Sequence, residues 1–168
     1  NLFSTHAGGH VAVYPMYAAN RRRERRWDVI DLLKTRYRVQ DVIDYSGLEH
    51  DDLALEGTGA MVLDHIGRVA YVARSHRADP ILLERFCTNF NFEPIVFDAH
   101  DAQGRPVYHT NVLMAVGTKV ALVGLDLISD SKRRDMVRDR LAETGRDVIA
   151  LTAHQIDEFA GNAIDLDG

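Results

Sequence analysis

Three side chains of this sequence stand where proton transfer and recognition of a flat polar group could meet. Glu56 lies in Leu55-Glu56-Gly57-Thr58-Gly59, a glycine-containing loop ahead of the apolar run Ala60-Met61-Val62-Leu63. Glycine lets backbone pass close to a ligand without a Cβ clash. A carboxylate so placed can accept hydrogen bonds from a flat guanidinium or urea group and can orient an imidazole. The plainer alternative is a surface glutamate in a turn. His109 follows the turn Gly104-Arg105-Pro106 and opens the strand-like run Asn111–Val116. An imidazole exchanges protons near neutral pH, although any one of the eight histidines could instead satisfy a backbone carbonyl. Arg77, in Ser75-His76-Arg77, carries a fork suited to a carboxylate, or is a surface arginine near a helix start. The single cysteine, Cys87, falls inside the helix-like Leu82–Cys87 beside its apolar face and reads as a packing residue. His6, His10, His100 and His154 share no metal-ligand spacing with a cysteine or carboxylate. Gly57-Thr58-Gly59 lacks the lysine and helix of a phosphate loop. No cofactor is expected.

Something must position these groups, and the rest of the chain shows what. The 168 residues suffice for one modest domain, with ordinary hydrophobic (46%) and charged (27%) content. A formal charge of -5 disfavours a nucleic-acid surface. The basic run Arg21–Arg26 is broken by Glu24 and followed by Asp28 and Asp31, the pattern of a solvated helix face. No apolar run could span a membrane and no signal peptide opens the chain. One cysteine excludes an intrachain disulfide and fits a reducing, cytoplasmic compartment. The start at Asn1 and the stop at Asp167-Gly168, after the strand-like Ala163–Leu166, predict a partial domain.

A pattern of strand, strand, helix, strand recurs three times, the first copy cut at its start. Val11–Tyr14 leads through Pro15 to a helix from about Arg21 to Arg36, with Trp27, Ile30, Leu33 and Tyr37 on one side, then to the β-branched run Val39–Tyr45. Ala60–Leu63 and Val69–Ala73 form a hairpin about the turn His65–Arg68. Asp79 caps a helix opened by Pro80 with the apolar face Leu82, Leu83, Phe86 and Phe90, and Pro94–Phe97 closes the unit. Asn111–Val116 turns at Gly117-Thr118 into Val120–Leu125. A helix over Asp130–Glu143 then turns Met136, Val137 and Leu141 inward and stops at Gly145, before Val148–Leu151. The period is roughly 50–60 residues. A hairpin before every helix mixes antiparallel and parallel pairing, unlike a doubly wound sheet. A closed ring of such small α/β units is its natural form.

Successive units of this kind resemble the five-bladed α/β-propeller of the penteins, the superfamily of arginine deiminases, dimethylarginine hydrolases and amidinotransferases. Four motifs, spaced in order along the chain, carry the resemblance: Asn1-Leu2-Phe3-Ser4-Thr5-His6, Leu55–Gly59, Tyr108-His109-Thr110-Asn111-Val112 and Phe159-Ala160-Gly161-Asn162. Tyr14-Pro15-Met16 with Asn20-Arg21-Arg22 and Glu24-Arg25-Arg26 is similar to the citrulline-utilising branch. The resemblance covers nearly the whole chain and implies an α/β fold, with residues 1–168 forming roughly three blades of a partial catalytic domain. It implies metal-free covalent hydrolysis at a guanidino or ureido carbon. A cysteine near the C-terminus of the family's ring attacks, Glu56 binds the substrate nitrogen, and His109 protonates the leaving amine and then activates water. The segment alone is then expected to be inert.

The resemblance also places Asn1 at a substrate-contacting acidic position, although Leu2 departs from the expected Trp. It makes Arg77, and less so Arg22, a ligand for the substrate carboxylate. Asn111 stands where arginine deiminases carry an aspartate, and two amides in place of acids suit a neutral ureido group. The expected partner is a small guanidino or ureido substrate, with no nucleic acid or membrane; a homo-oligomer is compatible with the sequence. Amidino transfer to an amine, or a non-catalytic binding ring, are the alternatives.

Overall fold

The structure, a computed structural model, describes residues 2–166. Three small sheets follow one another along the chain. The first has strands β1 (Phe3–His6) and β2 (His10–Val13), helix α1 (Trp27–Arg36) and strand β3 (Asp41–Asp44). A short helical turn, α2 (Gly57–Ala60), introduces the second sheet. That sheet is built from β4 (Val62–Asp64), β5 (Val69–Ala73), helix α3 (Pro80–Phe90) and β6 (Glu93–Phe97). The third has β7 (Met114–Val116), β8 (Val120–Val123), α4 (Ser131–Ala142) and β9 (Asp147–Ala150), followed by α5 (Ala153–Asp157). In every sheet the middle strand pairs antiparallel with its predecessor and parallel with the strand after the helix. These are the three strand-strand-helix-strand units that the sequence pattern predicts. Phe3–His6 supplies the strand that the sequence pattern left off the first copy.

The central strand shows why the units stack. All five residues of β5 are buried, and their side chains alternate between two cores. Val69, Tyr71 and Ala73 join the cluster holding α4 and the third sheet, while Ala70 and Val72 join the cluster holding α3 and Ala12 of β2. A strand buried on both faces reads as a continuous apolar run, as Val69–Ala73 does. Helix α3 is fixed at its start by Asp79, whose Oδ1 accepts from the amides of Ile81 (2.9 Å) and Leu82 (3.3 Å). It buries Leu82, Leu83, Phe86, Cys87 and Phe90. Burial pushes the Cys87 thiol up to about 12, which suits a packing residue.

Several expectations are corrected. The helix from Arg21 divides into a 3-10 turn (Ala19–Glu24) and α1, with Arg25 extended and Arg26 non-helical between them. On α1 only Ile30 is buried; Trp27 and Tyr37 are exposed. Gly57–Ala60 is helical where a loop and strand start were expected, because the peptide after Glu56 turns back on itself. Thr110–Val112 is a 3-10 turn, so β7 begins only at Met114. Met136 faces solvent, and Val137 and Leu141 carry the buried stripe of α4. Ala163–Leu166 forms no strand among the described residues.

Candidate active site

Glu56 immediately precedes α2, and its side chain is completely buried. Four donors converge on the carboxylate. Oε2 takes His109 Nε2 at 2.7 Å, Arg77 Nη1 at 3.1 Å and Arg21 Nη1 at 3.5 Å, and Oε1 takes the Tyr17 amide at 3.1 Å. Burial raises the pKa of the group. The hydrogen bonds from His109, Arg77 and the Tyr17 amide, together with the Arg77 charge, outweigh burial and hold it at about 2. An ionised carboxylate only accepts, so the proton in the 2.7 Å bond belongs to His109 Nε2.

The scaffold under His109 is local and specific. Thr110 is fully buried; its hydroxyl donates to the Ala60 carbonyl (2.5 Å) and accepts from the Ala73 amide (2.8 Å). One side chain thus ties the His109 turn to the end of α2 and the end of β5. The ring lies flush on α2 because residue 59 is glycine: a Cβ there would stand 3.2 Å from Nδ1. The backbone of Glu56 is pinned in turn, its amide donating to the Arg77 carbonyl at 3.1 Å. Glu56, Arg77 and His109, far apart in sequence, are therefore held by the mutual contacts of α2, the segment after β5, and the turn before β7.

The site opens to solvent through its arginines, the side chains of His109, Arg77 and Arg21 being 14%, 25% and 31% exposed. Half-exposed Tyr108 and Tyr17 flank Arg77, whose guanidinium carbon lies 5.3 and 6.0 Å from their ring centres. Arg77 Nε has no hydrogen-bond partner among the described residues. Two guanidinium groups and an imidazole thus surround the Glu56 carboxylate, Arg21 also lying 3.4 Å from the exposed Glu24, and the free Nε of Arg77 suits an anionic group of a ligand.

Not every candidate comes to this place. Asn111, in the turn after His109, donates through Nδ2 to Asn162 Oδ1 at 3.4 Å and does not touch Glu56. Asn1 lies outside the described residues. Arg22 faces away, donating to the Met16 carbonyl (3.2 Å) and lying 3.6 Å from Glu49. Its neighbour Arg21 is the residue that reaches Glu56. The basic run is therefore only in part a solvated face: Arg23 and Arg26 are exposed, while Arg21, Arg22 and Arg25 turn toward carboxylates. Arg21 entered the sequence reading only within the basic run and a resemblance motif, and the Tyr17 amide and Glu49 did not enter it. Alternating charge looks the same whether its partner is water or a buried acid. No group of residues able to hold a metal ion occurs among those described, and no helix is long and apolar enough to cross a membrane.

The depressed Glu56 pKa predicts a pH-dependent stability. At pH values above the ordinary 4.5 the group is charged in both folded and unfolded chains, and its stabilisation is fully present. As pH falls below that value the unfolded chain takes up a proton first, and stability declines until the folded group protonates near 2. At about 1.4 kcal/mol per pH unit, Glu56 accounts for a loss of about 2 kcal/mol between pH 5 and 3. Urea unfolding of the wild type and of Glu56→Gln at both values measures it as a difference in slope. Parallel curves would mean that the carboxylate is not held down.

The family model for eukaryotic N,N dimethylarginine dimethylhydrolase matches residues 1–168. No curated protein sequence matches the chain. Among solved structures, ArgZ, an arginine dihydrolase from the ornithine-ammonia cycle in cyanobacteria, superposes with a TM-score of 0.72 at 17% identity, over 96% of this chain and 24% of that one. AgrE, in complex with L-arginine, superposes with a TM-score of 0.74 at 18% identity, over 97% of this chain and 23% of that one. SxtG, an amidinotransferase from Microseira wollei, superposes with a TM-score of 0.59 at 14% identity, over 85% of this chain and 44% of that one. The chain therefore spans about a quarter of the length of ArgZ and AgrE, and 55% of the separate N-terminal domain of ArgZ. At these identities the superpositions speak to fold, and the fold is the pentein one. The match to the family model extends from residue 1 to residue 168, so the chain belongs to the N,N-dimethylarginine dimethylhydrolase family of the pentein superfamily.

Proposed function

We propose that the complete protein hydrolyses a C–N bond at the guanidino or ureido carbon of an arginine- or citrulline-like small molecule, with Glu56 and His109 in the catalytic machinery. The 2.7 Å bond from His109 to a fully buried, ionised Glu56 carries the reading. A carboxylate that fixes one ring nitrogen sets the orientation of an imidazole for proton transfer. A thiolate adds to the central carbon, and the C–N bond breaks as the departing nitrogen takes a proton from Nδ1 of His109, the ring nitrogen not bonded to Glu56. Water then gives a proton to His109 while its oxygen bonds to the carbon, and the carbon–sulfur bond breaks to return the thiolate. Cys87 cannot serve, since it is buried in α3 with a raised pKa. We place the nucleophile in a part of the ring beyond these 168 residues, as the 55% coverage of the ArgZ N-terminal domain allows. That domain has been crystallised as a cysteine-to-serine variant bound to substrate and as a covalent complex with a reaction intermediate.

Arg77 and Arg21 bind the substrate carboxylate in this reading, and Asn111, bonded to Asn162 outside the group around Glu56, is a further substrate contact. The two guanidinium groups already paired with Glu56 favour a neutral ureido group over a cationic guanidinium. Asn1 is a further contact, and the setting is cytoplasmic, consistent with one free thiol. The test is incubation of the complete protein with citrulline, arginine and N,N-dimethylarginine, following released ammonia or amine. Turnover of a ureido substrate with kcat/KM about tenfold above that for arginine is expected. Release from none of the three overturns the reading, and transfer of the amidino group to an added amine replaces hydrolysis with transfer.

A further inference from the structure

Arg21 and the Tyr17 amide reach Glu56 from the segment Tyr14–Arg26, which links β2 to α1. Apolar burial does not explain how that segment is held. Its 3-10 turn, Ala19–Glu24, buries no residue, and only Tyr14, Pro15 and Met16 at its start are buried. The explanation is a second buried acid. Glu49, in the 3-10 turn Ser46–Asp51 after β3, is buried and lies outside the group around Glu56. Its Oε1 accepts from the Met16 amide at 2.7 Å and from the guanidinium of Arg25, and Oε2 lies 3.6 Å from Arg22 Nε. One carboxylate therefore grips both the start and the end of the segment. Arg25 also donates to the Tyr14 carbonyl at 3.4 Å, and Arg22 to the Met16 carbonyl at 3.2 Å, which closes the segment on itself. The two successive amides of Met16 and Tyr17 point to two different buried carboxylates, Glu49 and Glu56. The loop between these anchors is the one that carries Arg21.

We propose that Glu49 is a positioning residue for substrate binding: by clamping both ends of the Tyr14–Arg26 strap, it holds Arg21 and the Tyr17 amide against the active-site carboxylate. The inference rests on the reading of Glu56 and His109 as catalytic. Glu49 touches neither His109 nor Arg77, and these two are held by contacts among α2, the segment after β5 and the turn before β7. Loosening the strap thus withdraws Arg21 from the substrate while leaving the proton-transfer pair in place. The effect falls on KM and spares kcat. A loss of general packing would lower both stability and kcat, with no dependence on Arg21.

The test uses the complete protein and the variants Glu49→Gln, Arg21→Ala and both together. Glu49→Gln keeps an acceptor for Met16 but removes the charge that grips Arg25. It is expected to raise KM about tenfold with kcat within about twofold, and the double variant is expected to be no worse than Arg21→Ala alone. An unchanged KM, a fall in kcat as large as the rise in KM, or effects of the two substitutions that multiply would each overturn the proposal. Should Glu49→Gln fail to fold, Arg25→Gln releases the strap from its other end and must give the same KM signature and the same dependence on Arg21. His109→Ala run alongside separates the two levels. If that variant turns over normally, the catalytic reading fails. If it is inactive while Glu49→Gln and Arg25→Gln keep the wild-type KM, only the positioning role fails.

Discussion

Replacing His109 with alanine is expected to lower turnover by the complete protein by roughly a hundred- to ten-thousand-fold, the usual worth of a positioned acid–base group. The fold should survive, for reasons visible around the residue. The turn that carries His109 is anchored by Thr110, whose hydroxyl bonds to Ala60 and Ala73 are independent of the imidazole. Glu56 loses one donor but keeps Arg77, Arg21 and the Tyr17 amide, so its charge stays compensated. The cost is that of one charge-assisted hydrogen bond, about 1.5–3 kcal/mol. Ammonia or amine release, measured beside thermal unfolding of the same sample, separates the two effects. Near-normal release would remove His109 from the chemistry. Glu56→Gln makes the complementary point. An amide there no longer compensates the charges of Arg21 and Arg77, so activity and stability should fall together.

The parts of this arrangement that were legible in the sequence are those set by local chemistry. Val69–Ala73 reads as a strand because five successive apolar residues between turn signals can be buried only on both faces of a sheet. Helix α3 announces its start with Asp79-Pro80 and its inner face with Leu82, Leu83, Phe86 and Phe90. Where competing long-range contacts win, the local pattern misleads. Apolar spacing from Trp27 to Tyr37 continues a basic run that any helix could carry, yet Arg25 is drawn out of helical geometry where its side chain folds onto Glu49. Asn111 to Val116 has a strand's composition, but the two bonds of buried Thr110 hold its first residues in a tight turn.

The site divides along the same line. Glu56 stands out because glycine surrounds it, and His109 because a turn delivers it to the head of a unit. Their meeting needs the order of units, which the recurring pattern supplied. Arg21 carries no such mark. Its partner is 35 residues away, and the segment that carries it is held by Glu49, a residue in a short polar turn with no periodic pattern to mark it.

The least legible contact of all is also the one with the largest structural consequence. Asp64, at the end of β4, and Arg146, just before β9, form a two-point ion pair across 82 residues, Nη1 to Oδ2 and Nη2 to Oδ1, both at 2.7 Å. Their side chains are 0% and 1% exposed. Further hydrogen bonds hold both members, so that four of the five guanidinium N–H groups of Arg146 have partners. Asp64 Oδ1 also accepts from the amides of Ile66 (2.9 Å) and Gly67 (2.8 Å), and Arg146 donates through Nε to the Gly117 carbonyl (2.6 Å) and through Nη1 to the Thr144 hydroxyl. Residue 67 must lack a side chain, since a Cβ there would lie 2.6 Å from Asp64 Oδ2. The pair joins the hairpin of the second unit to both turns of the third. Removing one member leaves the other as a buried, uncompensated charge, and Arg146→Ala is expected to cost about 3–5 kcal/mol. Arg146→Met with Asp64→Leu should recover part of that loss, because taking both charges out of water is itself unfavourable. Recovery stays incomplete, since the amides of Ile66 and Gly67 lose their acceptor. Urea unfolding of the single and double variants measures both effects. A single-variant cost below about 1 kcal/mol, the range of an exposed pair, would show that the second and third units are joined by their shared apolar core alone.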